Sequence, residues 1–375
     1  MIFFHLSDLH LGKRLAEFSL LEDQKYILGQ IISLTAQHRP DAIVIAGDIY
    51  DKSQPSAEAV ALFDDFLCRA ADIVPHIVVI SGNHDSPERL SFGSRLMNMS
   101  GVMIAPVFGG AVTPLSLTDE YGEIDIWPLP FLRASTAAHF YPDTDIYSAN
   151  DAIASVIADM RIDASRRNVL VCHQFVNGAS VCDSEDVLVG GTDAVDVKLF
   201  DAFDYTALGH IHSPQNIIQN KVRYCGTPLK YSVSEITRGK TLTKVTLGVK
   251  GDVSVEELAL TALHDMRTIR GSFAELTEKH ITDAHSGDYI SLTLTDELEI
   301  PDAAAELRKI YPNLMRLDYD NTRSRSDNVI APDKTSELSP QRLCEDFYET
   351  QNGAPVSCCQ SEYLTRIIHE IWEEM

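Results

Sequence analysis

Residues 5–14, HLSDLHLGKR, end the apolar opening MIFFHL on an aspartate and a histidine two positions apart. If the strand predicted by that opening stays extended through them, its period of two puts Asp8 and His10 on one side. Taken alone, the pair could equally be an incidental acid and imidazole in a surface turn. The same arrangement recurs four more times, and the recurrence decides the matter.

DAIVIAGDIYD (41–51) ends an apolar run on Gly47 and Asp48, and HIVVISGNHD (76–85) ends one on Gly82, Asn83 and His84. NVLVCHQF (168–175) ends near His173, and YTALGHIH (205–212) ends on Gly209, His210 and His212. Short Val/Ile/Leu runs bounded by glycine and polar groups are the pattern of buried strands. Between the early runs lie helical stretches. LLEDQKYILGQIISLTAQHRP repeats apolar residues at helical spacing and stops before Pro40. QPSAEAVALFDDFLCRAA puts Pro55 near a first helical position, and SPERLSFGSRLMNM offers Ser86 as an N-cap ahead of Pro87. Strands alternating with helices predict a layered α/β core, in which ligands gather at the carboxyl ends of the strands.

Asp8, His10, Asp48, Asn83, His173, His210 and His212 are the candidate metal ligands. Carboxylate and imidazole without thiolate suit manganese, iron or zinc better than magnesium or calcium. Seven candidates exceed what one ion normally takes, which points to two ions sharing a bridging carboxylate such as Asp48. Two carboxylates against two divalent ions leave a net positive site able to accept a phosphodiester. In an extended segment Asn83 and His84 diverge, so His84 is set apart as a catalytic candidate that donates a hydrogen bond or a proton to a phosphate.

Composition bounds the rest. The 375 residues, 45% hydrophobic, predict two or three folded domains. No apolar run approaches the roughly 18 residues of a membrane span, and no basic segment precedes the opening, so a soluble, unprocessed chain is expected. The seven cysteines show no C-x-x-C pair, which argues against a disulfide framework or a thiolate zinc site and for a reducing cytoplasm. The formal charge of −24 opposes nucleic-acid binding in the mean, so any DNA must meet local positive charge or a basic partner.

DLH, GDIYD, GNHD, CHQF and GHIH together resemble the five phosphoesterase motifs of the calcineurin-like metallophosphoesterases. HLSDLHLG, GNHDSPERL and GTPLKYSVSE narrow the resemblance to the nuclease subunits of bacterial SbcCD complexes over about residues 1–235. The resemblance implies a β-sandwich flanked by helices, and manganese as the metal. One ion would be held by Asp8, His10, Asp48 and His212, the other by Asp48, Asn83, His173 and His210, with His84 catalytic. Repair relatives often carry a histidine a few residues after the bridging aspartate. Here YDKS follows, which puts a second catalytic role at Asp51 in doubt.

By the same resemblance, residues 1–265 form the nuclease domain and 266–320 a small α/β capping domain that helps to position DNA. Residues 321–337 form a linker, and 338–375 a helix-loop-helix that grips an SbcC-type, SMC-like ATPase. A homodimer within a heterotetramer acting in DNA recombination, replication and repair is implied. Arg267, Arg270, Lys279, Arg308 and Lys309 are either DNA contacts or solvated charges. In the last helix Leu364, Ile367, Ile368, Ile371 and Trp372 fall largely on one face.

SEITRGKT (234–241) narrowly misses a phosphate-cradling loop, with Ser234 where glycine is needed, and Gly239 reads as a hairpin turn. Cys172 beside His173 points to the opposite face, which argues against a thiol nucleophile. Two rivals stay open: a phosphoesterase acting on phosphomonoesters, phosphoproteins or cyclic nucleotides, and a non-catalytic scaffold with this fold.

Overall fold

The computed structural model describes residues 1–183, 185, 194–279, 283–322 and 339–373, with the side chains of 279, 340 and 369–373 left aside. The chain divides into two compact units, Met1–Asp265 and Met266–Met375.

The first unit is built on two six-stranded sheets. One has the spatial order Val253–Leu260, Lys240–Leu247, Ile2–Leu6, Ala42–Ala46, His76–Ile80, Val102–Ala105; the last four of these strands are parallel. The other runs Gln215–Ile218, Val222–Tyr224, Tyr205–Gly209, Arg167–His173, Gly122–Leu129, Leu115–Asp119 and is parallel in its four central members.

Alternation within each strand makes the sandwich. Phe3, Val44 and Val78 from the first sheet share a buried cluster with Ile126, Val171 and Ala207 from the second. The alternate positions Ile43, Ile45, Ile77 and Val79 are fully buried as well. On that side lie helices Leu21–His38 and Ala57–Ala71; the ring of Phe4 meets His38 edge-on at 6.0 Å. The outer face of the second sheet, including Leu170, Cys172 and Leu208, packs against helices Ala134–Phe140 and Ala149–Asp159. Strands covered on both sides must be apolar throughout, which is why they read as continuous runs.

Two local expectations change. Ser56 is the N-cap of Ala57–Ala71, its Oγ accepting from the Ala59 N–H at 3.2 Å, so Pro55 lies just outside the helix. Gly239 is no hairpin turn: a short 3-10 turn, Val233–Glu235, precedes it, and Lys240–Leu247 pairs instead with Val253–Leu260.

The second unit holds a three-stranded parallel sheet, Met266–Gly271, Tyr289–Leu294 and Leu314–Tyr319. Helices Phe273–Lys279 and Ala303–Ile310 accompany it over a core of Leu276, Ile290, Leu292 and Leu307. Helices Pro340–Asn352 and Cys358–Glu373 follow; Gly353, at φ 66°, ends the first in the left-handed conformation that glycine adopts freely. Leu364, Ile367 and Ile368 are half-buried there, while the side chains of Ile371 and Trp372 and residues 323–338, most of the expected linker, lie outside the described residues. Arg267 pairs with Asp283 and Asp288, Arg270 with Asp320, and Lys309 with Glu306. The Lys279 side chain is not described.

Candidate metal centre

Parallel strands end together, so the five polar clusters meet at one rim of the sandwich. The extended geometry expected through Asp8 and His10 does not occur. The first strand stops at Leu6, and both residues take left-handed backbone, at φ 52° and 43°. The loop is laid along the neighbouring one instead, with the Asp8 N–H on the Gly47 carbonyl (3.0 Å) and the His10 N–H on the Asp48 carbonyl (3.0 Å). Asp48 and His210 are left-handed too, at 50° and 99°; these four are half of the eight such non-glycine residues among those described. Each costs about 1–3 kcal/mol, a strain that gathers at functional sites.

All seven candidate ligands are brought together. Asp48 Oδ2 lies 3.4 Å from His173 Nε2, 3.7 Å from His10 Nε2 and 4.0 Å from His84 Nε2. Asn83 Oδ1 lies 3.0 Å from both His173 Nε2 and His210 Nδ1. His10 Nε2 and His212 Nε2 are 3.2 Å apart, and a carboxylate oxygen of Asp8 falls within 4.8 Å of both imidazoles. Asp8 also accepts the His210 backbone N–H, at 3.0 and 3.1 Å, and the Ser7 hydroxyl.

His173 Nδ1 donates to the Ala46 carbonyl at 2.7 Å, which fixes the tautomer and leaves Nε2 facing Asp48 and Asn83. Two glycines admit this crowding. A Cβ on Gly82 would sit 2.1 Å from Asp48 Oδ1, and one on Gly209 would sit 1.9 Å from the Ala46 carbonyl and 2.7 Å from His173 Nδ1.

His84 differs from the candidate ligands. Its side chain is 24% exposed, against 1% for His10 and none for His173. Its Nδ1 donates to the Asp51 carbonyl at 3.0 Å, which turns Nε2 toward the centre. Asp51 itself accepts from Lys13 at 2.8 Å, its Oδ1 lying 3.7 Å from His10 Nδ1. Cys172 packs in the core behind the sheet, where burial pushes its thiol up to about 12, as a non-nucleophile requires.

Electrostatics set the demand of the site. Burial pushes the Asp8 carboxyl up to about 6 despite His173 and His212, and Asp48 adds to the rise. Burial opposes the Asp48 charge as well, but His173, His10 and His84 hold its carboxyl well below the usual range, and His173 is raised to about 9 in return. Burial depresses His10, and pushes His210 down to about 3, so both stand neutral as metal ligands must. His10 Nδ1 is buried without a hydrogen-bond partner among the described residues.

Donors about 2.1 Å from one ion lie about 3.0–3.4 Å from each other; the His10–His212, Asn83–His173, Asn83–His210 and Asp48–His173 spacings fall there, and Asp48–His10, at 3.7 Å, is a little wider. Imidazoles, two buried carboxylates and an amide oxygen at these spacings fit divalent cations.

Sequence reading missed the residues behind the ligands. Asp85, the last residue of GNHD, accepts the backbone N–H groups of Ile49 (3.1 Å), Tyr50 (3.0 Å) and Gly82 (2.9 Å), tying the GDIYD and GNHD loops together. Gln24 reaches the His10 carbonyl at 2.7 Å, and Tyr231 that of Leu9 at 2.5 Å. Burial works against the Glu235 carboxylate, yet His212 and Lys240 hold it down at about 2. Asp85 carried a signal, since it closes a motif; Tyr231 and Glu235 lie in GTPLKYSVSE, which marked the resemblance but not their place behind the ligands, and Gln24 carried none.

Comparison with known proteins places the chain in a family. The calcineurin-like phosphoesterase profile matches residues 1–214, and that of the type 5 capsule protein repressor C-terminal domain, SbcD_C, matches 262–352. The SbcD subunit of the SbcCD nuclease of Staphylococcus epidermidis is 31% identical over 97% of this chain and 97% of its own length. The protein of the same name from Staphylococcus saprophyticus is 31% identical over 99% and 98%. A solved dimetal phosphatase from Danio rerio aligns with 70% of this chain and 98% of its own at 9% identity, with a TM-score of 0.42. Among the described residues no helix is long and apolar enough to cross a membrane. With matches of this extent over a divalent-metal donor set, the chain belongs to the calcineurin-like phosphoesterases, a family of metal-dependent hydrolases, and within them to the SbcD family of SbcCD nuclease subunits.

Proposed function

We propose that this chain is the nuclease subunit of an SbcCD-type complex, a dinuclear enzyme that trims duplex DNA ends and cuts single-stranded or hairpin DNA. The observation that carries the reading is the convergence of seven ligand-type side chains, two of them buried carboxylates, from five strand ends. Asp8, His10, Asp48 and His212 would hold one manganese ion, and Asp48, Asn83, His173 and His210 a second. When bound, the ions supply Lewis acidity to the phosphodiester and an activated water.

The protein's own groups do the rest. Asp48 presents Oδ2 to His10 and His173 while its Oδ1 accepts the His84 N–H at 2.9 Å, a bridging posture held by the backbone. His84, anchored through Nδ1 and open to solvent, is the group suited to give a proton from Nε2 to the leaving oxygen.

The finer partnerships are part of the same proposal. Phe92, Leu96 and Met99 are 85%, 73% and 85% exposed within one short stretch of the first unit, which supports a homodimer. The C-terminal helices, with their half-buried apolar residues, suit an SbcC-type ATPase, and a heterotetramer follows from the two together. In the second unit the pairing of Arg267, Arg270 and Lys309 with acids weakens the case for these three as DNA contacts.

The decisive experiment is cleavage of end-labelled single-stranded, duplex and hairpin DNA with manganese, beside Asp48→Ala and a p-nitrophenyl phosphate assay. The reading expects manganese-dependent cutting absent from the variant. Turnover of the small phosphate with intact DNA, repeated with the ATPase partner and ATP, would replace it with a phosphatase.

A further inference from the structure

The stretch that imitates a phosphate loop, SEITRGKT, carries two buried charged residues that the reaction has not used. Glu235 and Lys240 are 1% and 7% exposed and form an ion pair of 2.5 Å. Lys240 Nζ also donates to Thr227 Oγ1 at 2.6 Å and to the His212 carbonyl at 3.0 Å, and the Thr227 N–H reaches that carbonyl at 3.1 Å. Glu235 Oε1 accepts the Tyr231 N–H at 3.2 Å and stands 3.8 Å from His212 Nδ1. On the far side of that imidazole, Nε2 is the atom that faces His10. The Tyr231 ring meets both imidazoles edge-on, 5.6 Å from His10 and 6.0 Å from His212.

A buried ion pair is a poor device for stability alone, because an apolar pair of similar volume often does as well. A carboxylate behind a ligating imidazole has a definite use: by accepting the proton of one ring nitrogen it commits the other nitrogen's lone pair to the metal. We propose that Glu235, held in place by Lys240, is the positioning residue of His212, facing its Nδ1 edge and orienting the ring so that Nε2 meets a divalent cation. This rests on the metal-centre reading above. Lys240 serves both ends of His212, holding its backbone carbonyl directly and its side chain through Glu235.

The test is manganese titration by calorimetry, with thermal melting of each protein alongside. Wild type, Glu235→Gln and the double variant Glu235→Leu/Lys240→Met are compared. Glu235→Gln is expected to weaken one of two ions by about 10–100-fold and leave the other. The double variant removes both buried charges; it is expected to recover the melting temperature lost in the single variant but not the affinity. Recovery of both would make the pair a brace of the fold and overturn the proposal, as would wild-type affinity in Glu235→Gln. A wild-type protein that takes up no divalent ion would instead sink the metal-centre reading itself.

Discussion

The two ends of the sandwich handle buried charge in opposite ways. At the amino ends of the parallel strands the acids Asp119, Asp125 and Asp204 each pair with a cation. Asp119 accepts from the nearly buried Arg167 at 2.9 Å, Asp125 faces Arg166 at 3.3 Å, and Asp204 faces Lys250 at 3.0 Å. At the carboxyl ends Asp8 and Asp48 are more deeply buried, yet among the described residues neither has a lysine or arginine partner; imidazoles and backbone N–H groups surround them. The first arrangement is complete within the chain. The second leaves its carboxylates to imidazoles and backbone, and four of its residues, Asp8, His10, Asp48 and His210, take left-handed backbone.

This contrast can be broken at several points. His84→Ala is expected to lower DNA cleavage by about 10²–10⁴-fold while manganese uptake is unchanged; loss of uptake in calorimetry would make His84 a ligand. Saturating manganese is expected to stabilise the wild type by about 2.7 kcal/mol at a hundred times Kd, an increment absent from Asp48→Asn and retained by Asp119→Asn; thermal melts with and without chelator read both. Asp119→Asn should cost about 1.5–3 kcal/mol, because Arg167 loses a charged partner but keeps the carbonyls of Gly122 and Gly248.

In chelator, Asp8→Asn should cost nothing or stabilise slightly, the opposite sign. The pH dependence follows the same division. The Asp8 carboxyl is raised to about 6, so its contribution is present below about pH 3.9 and lost as pH rises through 6. Arg167 holds Asp119 below the usual range, so its contribution is present above about 3.9 and lost as pH falls. Chelated Asp8→Asn should therefore tilt the stability–pH curve between about 4 and 6, and Asp119→Asn should tilt it in the opposite direction below about 4.

Much of the site was legible because strand ends are local. An apolar run closed by Gly-Asp, Gly-Asn or Gly-His announces both the strand and the side chain at its tip, whatever the rest of the chain does. The helices Leu21–His38 and Ala57–Ala71 were legible for the same reason, their apolar period being local too. The edge strand Gln215–Ile218 and its neighbour Val222–Tyr224, short and mixed in character, announced little, and their place depends on the strand beside them.

From the sequence alone came the residue types, their recurrence and the layered class, because composition and period are properties of short stretches. The tertiary structure alone decided that Asp8, His10, Asp48 and His210 turn left-handed, because backbone bonds between neighbouring loops outweigh local preference. It alone brought Glu235 and Lys240 behind His212, since contacts between residues far apart in sequence exist only once the sheets have closed.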